Sequence, residues 1–414
     1  MSSDTPATPT TAYTVDQARD AVLAKMLPLR RTESIGLHAA LGRVTATDVV
    51  AAHNIPHFQN SAMDGFAVRY EDTIDSNRFS VAGTSLAGHP FAGEIPHGSV
   101  VKITTGAQLP PAADTIIIIE NTSAKGDHII INEPPVKNQY VRNPGDDIKQ
   151  GEVLVAKQKQ LGAADLGLLA AQGIEQLEVF KQPRIGVFST GDELRQPGQK
   201  LGYGQIYDSN RITIQSLLRT AGFDSVDLGI ARDNEKDLQN ILENSAQCDF
   251  VLSSGGVSVG EADFVKSVLE ANGELFFWKV AMKPGKPMVT GKLHTGATYF
   301  GLPGNPVSSM VTCIQFVIPA IQAYSGLDYI PTRMLKARSE SKLSKEKGRF
   351  EYQRGVASVN QNGELLVSTT GLQDSHVLKS MSDANCFICL DRASTGAAAG
   401  AEVDIILFDS LAGL

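Results

Sequence analysis

Residues Asp249–Gly260 read DFVLSSGGVSVG, an apolar run followed at once by serines and glycines. Two other stretches repeat this order: Arg184–Leu194 reads RIGVFSTGDEL, and Ala297–Pro306 reads ATYFGLPGNP. The apolar runs are typical of buried strands, and the carboxyl ends of parallel strands meet at one edge of a sheet. We therefore expect the three loops to converge on a single crevice that holds the functional site.

The wider region from residue 184 to residue 326 alternates between strand and helix patterns, which predicts a central, doubly wound parallel α/β domain. The predicted strands are 185–189, 225–230, 249–253 and 297–301. The predicted helices are 210–221, 234–245, 261–272 and 306–324.

The flanking regions have other patterns, so the chain of 414 residues is predicted to be a multidomain α/β and β protein. Residues 12–183 form an N-terminal and linker region, with a small β domain at about 51–146 inserted in an α/β linker domain. It opens with a helix that begins with a capping box of Thr14 and Gln17 and is predicted to end at about Met26. Another helix is predicted at 162–173. Residues 331–414 are predicted to form a C-terminal β-barrel-like domain, with a hairpin turn at Asn362-Gly363.

Composition excludes several classes of protein. The chain has 45 acidic and 37 basic side chains, a net charge of -8, which argues against a nucleic-acid binder. Four cysteines are too few for a disulfide framework, so we expect a cytoplasmic protein, with Cys386 and Cys389 as core residues. No apolar run reaches the ~18 residues that span a bilayer, so no membrane association is expected.

The glycine-rich loop does not fit the common nucleotide motifs. In a P-loop, Lys followed by Ser or Thr would stand where this chain has Glu261 and Ala262. No G-x-G-x-x-G follows the first strand of the α/β region, where Asp192 and Glu193 would repel a pyrophosphate. A nucleoside triphosphatase and a dinucleotide oxidoreductase are therefore disfavoured.

The same loop still suits an anion. Glycine N–H groups that precede a helix can cradle an oxyanion, and Ser254 and Ser258 add hydroxyl donors, although a plain tight turn has the same composition. Asp263 follows the cradle, and a hard cation such as Mg²⁺ would reconcile its charge with a phosphate. Glu193 could share that ion, or it could cap the next helix together with Asp192.

A second anion site is indicated by Lys283–Pro287 (KPGKP), whose two lysines are held in a proline-restricted loop. The alternative is a solvated turn. Pro306 begins a helix with Ser308 in its first turn, which offers further N–H donors. The crevice is thus predicted to hold one phosphate and a second oxyanion.

Two N-terminal segments also carry polar residues in an unusual setting. Asn60–Ala67 (NSAMDGFA) and Thr104–Ala107 (TTGA) combine small and polar residues, and the first does not resemble a core strand. Either segment alone is a weak indication, because Asp-Gly is common in turns.

Taken together, these motifs resemble the molybdopterin molybdenumtransferase family, which includes MoeA and the E domain of gephyrin. The resemblance runs from about Tyr13 to the C-terminus. The motifs that carry it are Asn60–Gly65, Thr105–Ala107, Ser189–Leu194, Ser253–Gly260, Lys283–Pro287 and Gly301–Ser308.

The resemblance implies a MogA-like central domain and an activity in molybdenum cofactor biosynthesis. The family inserts molybdate into adenylylated molybdopterin with release of AMP and with Mg²⁺ as cofactor. It also implies roles for individual residues. The catalytic acids are Asp64, Glu193, Asp233 and Asp263, of which Glu193 and Asp263 bind the metal. The molybdopterin substrate is bound by Thr105, Ser254, Gly255, Gly256, Ser258, Gly260, Pro303 and Pro306. Molybdate is bound by Lys283, Lys286, Ser308, Arg354 and Ser375.

The partners implied by the resemblance are a second copy of the chain, a molybdopterin adenylyltransferase, and a molybdoenzyme or cofactor carrier. In the homodimer, Asp64 and Thr105 come from the partner subunit. Gln59 departs from the family pattern, in which Asp is usual at that position. Two alternatives stay open: a gephyrin-like scaffold, and the adenylyltransferase that makes the adenylylated precursor.

Overall fold

The computed structural model describes residues 12–26, 31–255 and 263–410. Its chain divides into two compact units. The smaller unit is Ser34–Leu41 with Thr45–Leu177, and the larger comprises Gly42–Val44, the residues up to Glu33 and those from Glu178 onward. The strands Thr32–Gly36 and Gln176–Phe180 lie where the chain passes from one unit to the other. The finer division at residues 183 and 331 stays a prediction.

The smaller unit is built on a six-stranded sheet. In spatial order its strands are Thr115–Ile118, Gly65–Val68, Ser99–Ile103, Arg78–Ser85, His128–Ile131 and Thr122–Lys125. Gly65–Val68 is fully buried, so the expectation that Asn60–Ala67 contains no core strand is wrong for its second half. Phe66 and Val68 pack in one core cluster and Ala67 in another, because alternate side chains of a strand point to opposite faces.

The rest of the smaller unit consists of short elements. The strands are Val49–Val50, Asn60–Ser61, Val141–Arg142 and Val153–Val155. The helices are Leu37–Ala39, Asp72–Asp75, Ile119–Asn121 and Ala163–Ala171. The last of these confirms the helix predicted at 162–173. It begins where the Gly162 N–H donates to Asp165 Oδ2 at 2.9 Å, and it ends before Gly173, which has a φ of 73°.

The larger unit contains the central sheet of the α/β region. Its strands in spatial order are Ser225–Ala231, Ile185–Thr190, Phe250–Ser254, Thr298–Leu302, Pro287–Leu293 and Gly273–Lys279. The first four are parallel and match the prediction, whereas Pro287–Leu293 pairs antiparallel with Thr298–Leu302 on one side and with Gly273–Lys279 on the other. The sheet is therefore mixed: the alternation of strand and helix gives no sign of a hairpin that connects two strands without a helix.

The helices of the larger unit confirm the predicted ones within a few residues. They are Val15–Leu23, Asn210–Thr220, Glu235–Asn244, Asp263–Ala271, Pro306–Thr312 and Ile318–Tyr324. The first has the predicted capping box between Thr14 and Gln17, but it ends at Leu23 rather than Met26. A short parallel ladder, Leu194–Arg195 with Ile206–Tyr207, lies outside the main sheet.

A π-helical turn, Cys313–Val317, joins the last two helices into one continuous helical segment. Pro319 has no N–H, so the Gln315 carbonyl lacks its helical donor, and Arg19 Nε donates to that carbonyl at 3.3 Å. Among the described residues, Pro306–Tyr324 passes a length and hydropathy test for a membrane span, but 78% of its apolar window is buried. It is the core helix of the larger unit.

The C-terminal residues form a closed β-barrel, as predicted. Its strands in order are Phe350–Val359, Leu365–Thr369, Leu335–Ser339, Glu402–Leu407 and Cys386–Leu390, and the last pairs with the first. The predicted turn at Asn362-Gly363 connects the first two. Shorter elements are Leu343–Ser344, Lys379–Ser382, Gly396–Ala397 and Phe408–Ser410. Cys386 and Cys389 are buried free thiols, and burial raises the pKa of Cys386 to about 12, which confirms them as core residues.

Candidate functional site

The loops that follow the three apolar runs meet at one edge of the central sheet. The Gly255 N–H donates to the Leu302 carbonyl at 3.1 Å, which joins the glycine loop to the loop that follows Thr298–Leu302. Gly255 has a φ of +94°, and a Cβ there would lie 2.9 Å from the Thr190 carbonyl oxygen. Only glycine allows this approach, because a side chain would clash with backbone and strain the left-handed conformation.

Asn210 holds two of these loops together. Its Nδ2 donates to Ser254 Oγ at 2.8 Å and to the Gly304 carbonyl at 2.6 Å. Asn210 is the first residue of the helix Asn210–Thr220, so its side chain is placed by a rigid element. From the sequence, Asn210 was predicted only as the start of a helix, although the polar residues at 208–210 before an apolar helix were a visible signal.

A buried ion cluster lies next to Ser189, at the end of the strand Ile185–Thr190. Ser189 Oγ donates to Asp208 Oδ1 at 3.0 Å, and Arg211 Nε donates to Asp208 Oδ2 at 2.8 Å. Arg211 also reaches Asp227. Burial alone would lower the pKa of Arg211, but the bonds to Asp208 and Asp227 outweigh that effect and raise it. Because the guanidinium stays charged, the cluster fixes Ser189 at the strand end.

Two of the predicted catalytic acids, Glu193 and Asp233, lie beside this edge together with Asp192. The Asp233 N–H donates to Asp192 Oδ1 at 3.2 Å, and the Gly191 N–H donates to the Ala231 carbonyl at 3.1 Å, so two neighbouring loops are tied together. The Glu193 carboxylate lies over Gly191, since a Cβ on that glycine would be 2.5 Å from Glu193 Oε2. Asp192, Glu193 and Asp233 thus share one region of the crevice.

The donor chemistry at this edge fits a hard cation, but the ligands are not preassembled. In the described part of the chain, neither Asp192 nor Glu193 forms a side-chain ion pair, although Asp192 Oδ1 already accepts the Asp233 N–H; carboxylate oxygens are the ligands that Mg²⁺ prefers. The described residues contain no cluster of three or more His, Cys, Asp or Glu side chains that could hold a metal. Gly256, Ser258, Gly260 and the side chain of Asp263 lie outside the described residues.

The lysine loop is attached to the barrel. Met282–Lys283 forms a short strand that runs parallel to Phe350–Val359, with Lys283 opposite Glu351. Lys283 Nζ lies 3.4 Å from Glu351 Oε1, and the Glu351 side chain is only 4% exposed. Gln353 Nε2 donates to the same oxygen at 3.1 Å. The sequence gives no indication of Glu351, because pairing between the loop and a strand about 70 residues away depends on the tertiary fold.

The middle of the lysine loop packs against the helix that starts at Pro306. Gly285 has a φ of +104°, and a Cβ there would lie 2.7 Å from Thr312 Oγ1 and 3.5 Å from the Ser308 carbonyl. Ser308 is buried, whereas Lys286 is exposed. The loop and the first turn of the helix are therefore neighbours, as an oxyanion pocket made from both requires.

The start of the helix Pro306–Thr312 also meets the segment that follows the barrel hairpin. The Val307 N–H donates to the Ser375 carbonyl at 3.1 Å, which joins the helix start to residue 375. Arg354 Nη2 donates to the Asp374 carbonyl at 3.2 Å and its Nε to Ser380 Oγ at 3.1 Å. Burial lowers the pKa of Arg354 to about 10, so it stays protonated at neutral pH. At 1% exposure, Arg354 is buried and holds this segment in place through these bonds.

Asp64 and Thr105 form a pair within the smaller unit. The backbone N–H and the Oγ1 of Thr105 donate to Asp64 Oδ1 at 2.7 Å and 2.9 Å. These two bonds lower the pKa of Asp64, which is exposed and therefore ionised at neutral pH. Gln59, the residue that departs from the family pattern, donates from its Nε2 to Asn143 Oδ1 at 3.0 Å, a hydrogen bond within the smaller unit.

Comparison with protein-family models finds three matches along the chain. Residues 13–173 match the MoeA N-terminal region (domains I and II), and residues 186–323 match a probable molybdopterin binding domain. Residues 336–408 match the MoeA C-terminal region (domain IV).

Individual proteins are similar over nearly the whole chain. A molybdopterin molybdenumtransferase of Haemophilus influenzae is 42% identical over 97% of this chain and 100% of its own. One from Nostoc is 34% identical over 91% of this chain and 88% of its own. A crystal structure of a molybdopterin biosynthesis MoeA protein from Pyrococcus horikoshii superposes with a TM-score of 0.80 at 28% identity, covering 96% of this chain and all of that one.

Proposed function

This chain belongs to the MoeA family, and we propose that it is a transferase of molybdenum cofactor biosynthesis that inserts molybdate into adenylylated molybdopterin and releases AMP. The observation that carries this proposal is that the lysine loop packs at Gly285 on the helix Pro306–Thr312, and that the same helix is bonded to Ser375 through the Val307 N–H. We infer from these contacts an oxyanion pocket with Lys283 on its rim. Such a pocket combines fixed cations, hydroxyl groups and a helix N-terminus, which suit a compact dianion.

The adenylylated molybdopterin binds, in this proposal, along the neighbouring loops. Ser254, Gly255, Pro303 and Pro306 belong to the strand-end loops that Asn210 ties together, and the glycine loop continues through Gly256, Ser258 and Gly260. Backbone N–H groups of these loops supply donors to the phosphate. Asp233 and Asp192 fix the adjacent loop and so help to orient the substrate.

Mg²⁺ is held in this proposal by the carboxylates of Glu193 and Asp263. A bound magnesium ion supplies charge neutralisation on the phosphate, which favours departure of AMP. The chain's own contribution is positional: Lys283, Lys286, Ser308 and Ser375 hold molybdate close to the pterin sulfurs, while Arg354 keeps the 374–375 segment in place. Catalysis then rests on orientation and electrostatics.

We place Asp64 and Thr105 in the site of the partner subunit of a homodimer. The ionised Asp64 is already oriented by two bonds from Thr105, so it would enter a neighbouring site in a fixed geometry. The substrate would come from a molybdopterin adenylyltransferase, and the product would pass to a molybdoenzyme or a cofactor carrier. Four free, buried cysteines are consistent with a cytoplasmic location.

The test is a reconstituted reaction of purified protein with adenylylated molybdopterin, molybdate and Mg²⁺, followed by AMP release and cofactor formation. The Lys283→Ala/Lys286→Ala variant should lose molybdate-dependent AMP release, whereas Lys342→Ala, a lysine outside the pocket, should not. Absence of AMP release by the wild-type protein, or equal rates in both variants, would contradict the proposal. ATP consumption with unmodified molybdopterin would favour an adenylyltransferase, and a stable peptide partner without turnover would favour a scaffold.

A further inference from the structure

A cavity of about 470 Å³ opens at the edge of the central sheet where the strands begin, the edge opposite the crevice. Its lining residues directly precede three parallel strands: Arg184 precedes Ile185, Asp249 precedes Phe250, and Gly296 lies shortly before Thr298. We propose that this cavity is a second anion site, which binds the phosphate group of a small molecule.

The charge of the lining favours an anion. Arg31, Lys181 and Arg184 contribute three positive charges and Asp249 one negative charge, which leaves two positive charges. The whole chain carries a net charge of -8, so this concentration of cations is opposite in sign to the protein as a whole. A phosphate monoester is close to a dianion at neutral pH and would balance these charges.

Asp249, the one carboxylate in the lining, forms bonds with both arginines. Arg31 Nη2 lies 2.6 Å from Asp249 Oδ1, and Tyr324 Oη donates to the same oxygen at 3.1 Å. The Arg184 backbone N–H donates to Asp249 Oδ2 at 2.9 Å. The Tyr324 ring packs edge-on against Phe250 with ring centroids 5.0 Å apart. Because both carboxylate oxygens are occupied by donors, Asp249 orients Arg31 and is shielded from an incoming anion.

Further donors face the cavity. Arg184 Nη1 donates to Gln247 Oε1 at 2.7 Å, which orients the guanidinium and leaves most of its five N–H groups for a ligand. Lys181 is exposed and adds a mobile ammonium group. Arginine matches the tetrahedral oxygens of phosphate in paired bonds, and lysine adds a point charge. The volume lies within the range of pockets for small molecules and exceeds what inorganic phosphate needs.

The test is isothermal titration of the full-length protein at low ionic strength with inorganic phosphate and with glycerol phosphate, which carries the same group on a small organic body. The Lys181→Gln/Arg184→Gln variant should bind roughly tenfold more weakly or not at all. The control Arg219→Gln/Lys236→Gln removes the same charge from exposed helix positions and should bind as the wild type does. Tighter binding of glycerol phosphate than of phosphate would identify a phosphate monoester as the ligand class.

Three outcomes would overturn the proposal: no wild-type binding below about 10 mM, equal weakening in both double variants, or loss of binding only in Lys283→Ala/Lys286→Ala. The last result would assign the phosphate to the crevice. Because molybdate-dependent turnover of the Lys181→Gln/Arg184→Gln variant is measured separately, this site and the proposed transferase activity can fail independently.

Discussion

Lys283 Nζ lies 3.4 Å from Glu351 Oε1, and this pair joins the lysine loop of the crevice to the C-terminal barrel. The lysine is 37% exposed while the carboxylate is 4% exposed, so the lysine is accessible to an anion and the carboxylate is buried. Breaking such a pair leaves a charge without its partner. Because the negatively charged Glu351 lies beside Lys283, it offsets part of the positive charge that an incoming oxyanion would meet.

We expect Glu351→Gln to tighten the binding of molybdate roughly three- to tenfold, because a nearby negative charge is removed while the side-chain shape is kept. Sulfate should gain as much, so discrimination between the two does not improve. The measurement is the dissociation constant of each anion by titration. Glu340→Gln, at an exposed position, is the control, and weaker binding in Glu351→Gln alone would contradict the expectation.

Asn210→Ala should separate the glycine loop from the Gly304 loop, since both bonds of the Asn210 amide are lost. We expect kcat/KM to fall by at least about tenfold and the free energy of unfolding to fall by about 1–3 kcal/mol. Steady-state kinetics and chemical denaturation measure the two effects. Ser216→Ala removes an exposed hydroxyl from the same helix and should change neither, and unchanged turnover in Asn210→Ala would refute a positioning role.

Gly285→Ala should disrupt the proposed molybdate pocket. The added Cβ would lie 2.5 Å from Met282 Cε and 2.7 Å from Thr312 Oγ1, and the φ of +104° is unfavourable for alanine. Gly348 is a matched control, because its φ is +103° and a Cβ added there would have no atom within 4 Å. Both variants should lose about 1–3 kcal/mol to backbone strain, but only Gly285→Ala should also lose molybdate binding. Equal molybdate affinity in the two would show that the loop tolerates the change.

Thr105→Val should raise the pKa of Asp64 towards its ordinary value, because one of the two bonds that lower it is lost while the backbone bond stays. A carboxyl whose pKa is lower in the folded state stabilises the fold above its unfolded pKa, and that contribution disappears as the pH falls through the folded pKa. As the pH falls, the variant should therefore lose the stabilising contribution of ionised Asp64 at a higher pH than the wild type does. Carbon-13 NMR titration of Asp64 measures the shift, and an unchanged pKa would show that the hydroxyl bond contributes nothing.

The parallel strands, their helices and the barrel hairpin are predictable from the sequence because each depends on local patterns. Apolar runs such as Phe250–Leu252 and a turn such as Asn362-Gly363 are encoded by consecutive residues. The antiparallel strands Gly273–Lys279 and Pro287–Leu293 were not predicted, and Gly65–Val68 was misassigned. Gly65–Val68 is buried between Ser99–Ile103 and Thr115–Ile118, which are distant in sequence. The other two strands pair as a hairpin, which the alternation of strands and helices does not indicate.

The sequence by itself determined which residue types surround the crevice: the glycines, the acids, the two lysines and the helix that begins at Pro306. Only the tertiary structure decided that Asn210 joins two of the loops, that Glu351 faces Lys283, and that Gly285 packs on Thr312. The reason is physical. Loop composition follows from local backbone requirements, whereas a buried charge or a shared hydrogen bond exists only when folding brings two distant segments within a few ångströms of each other.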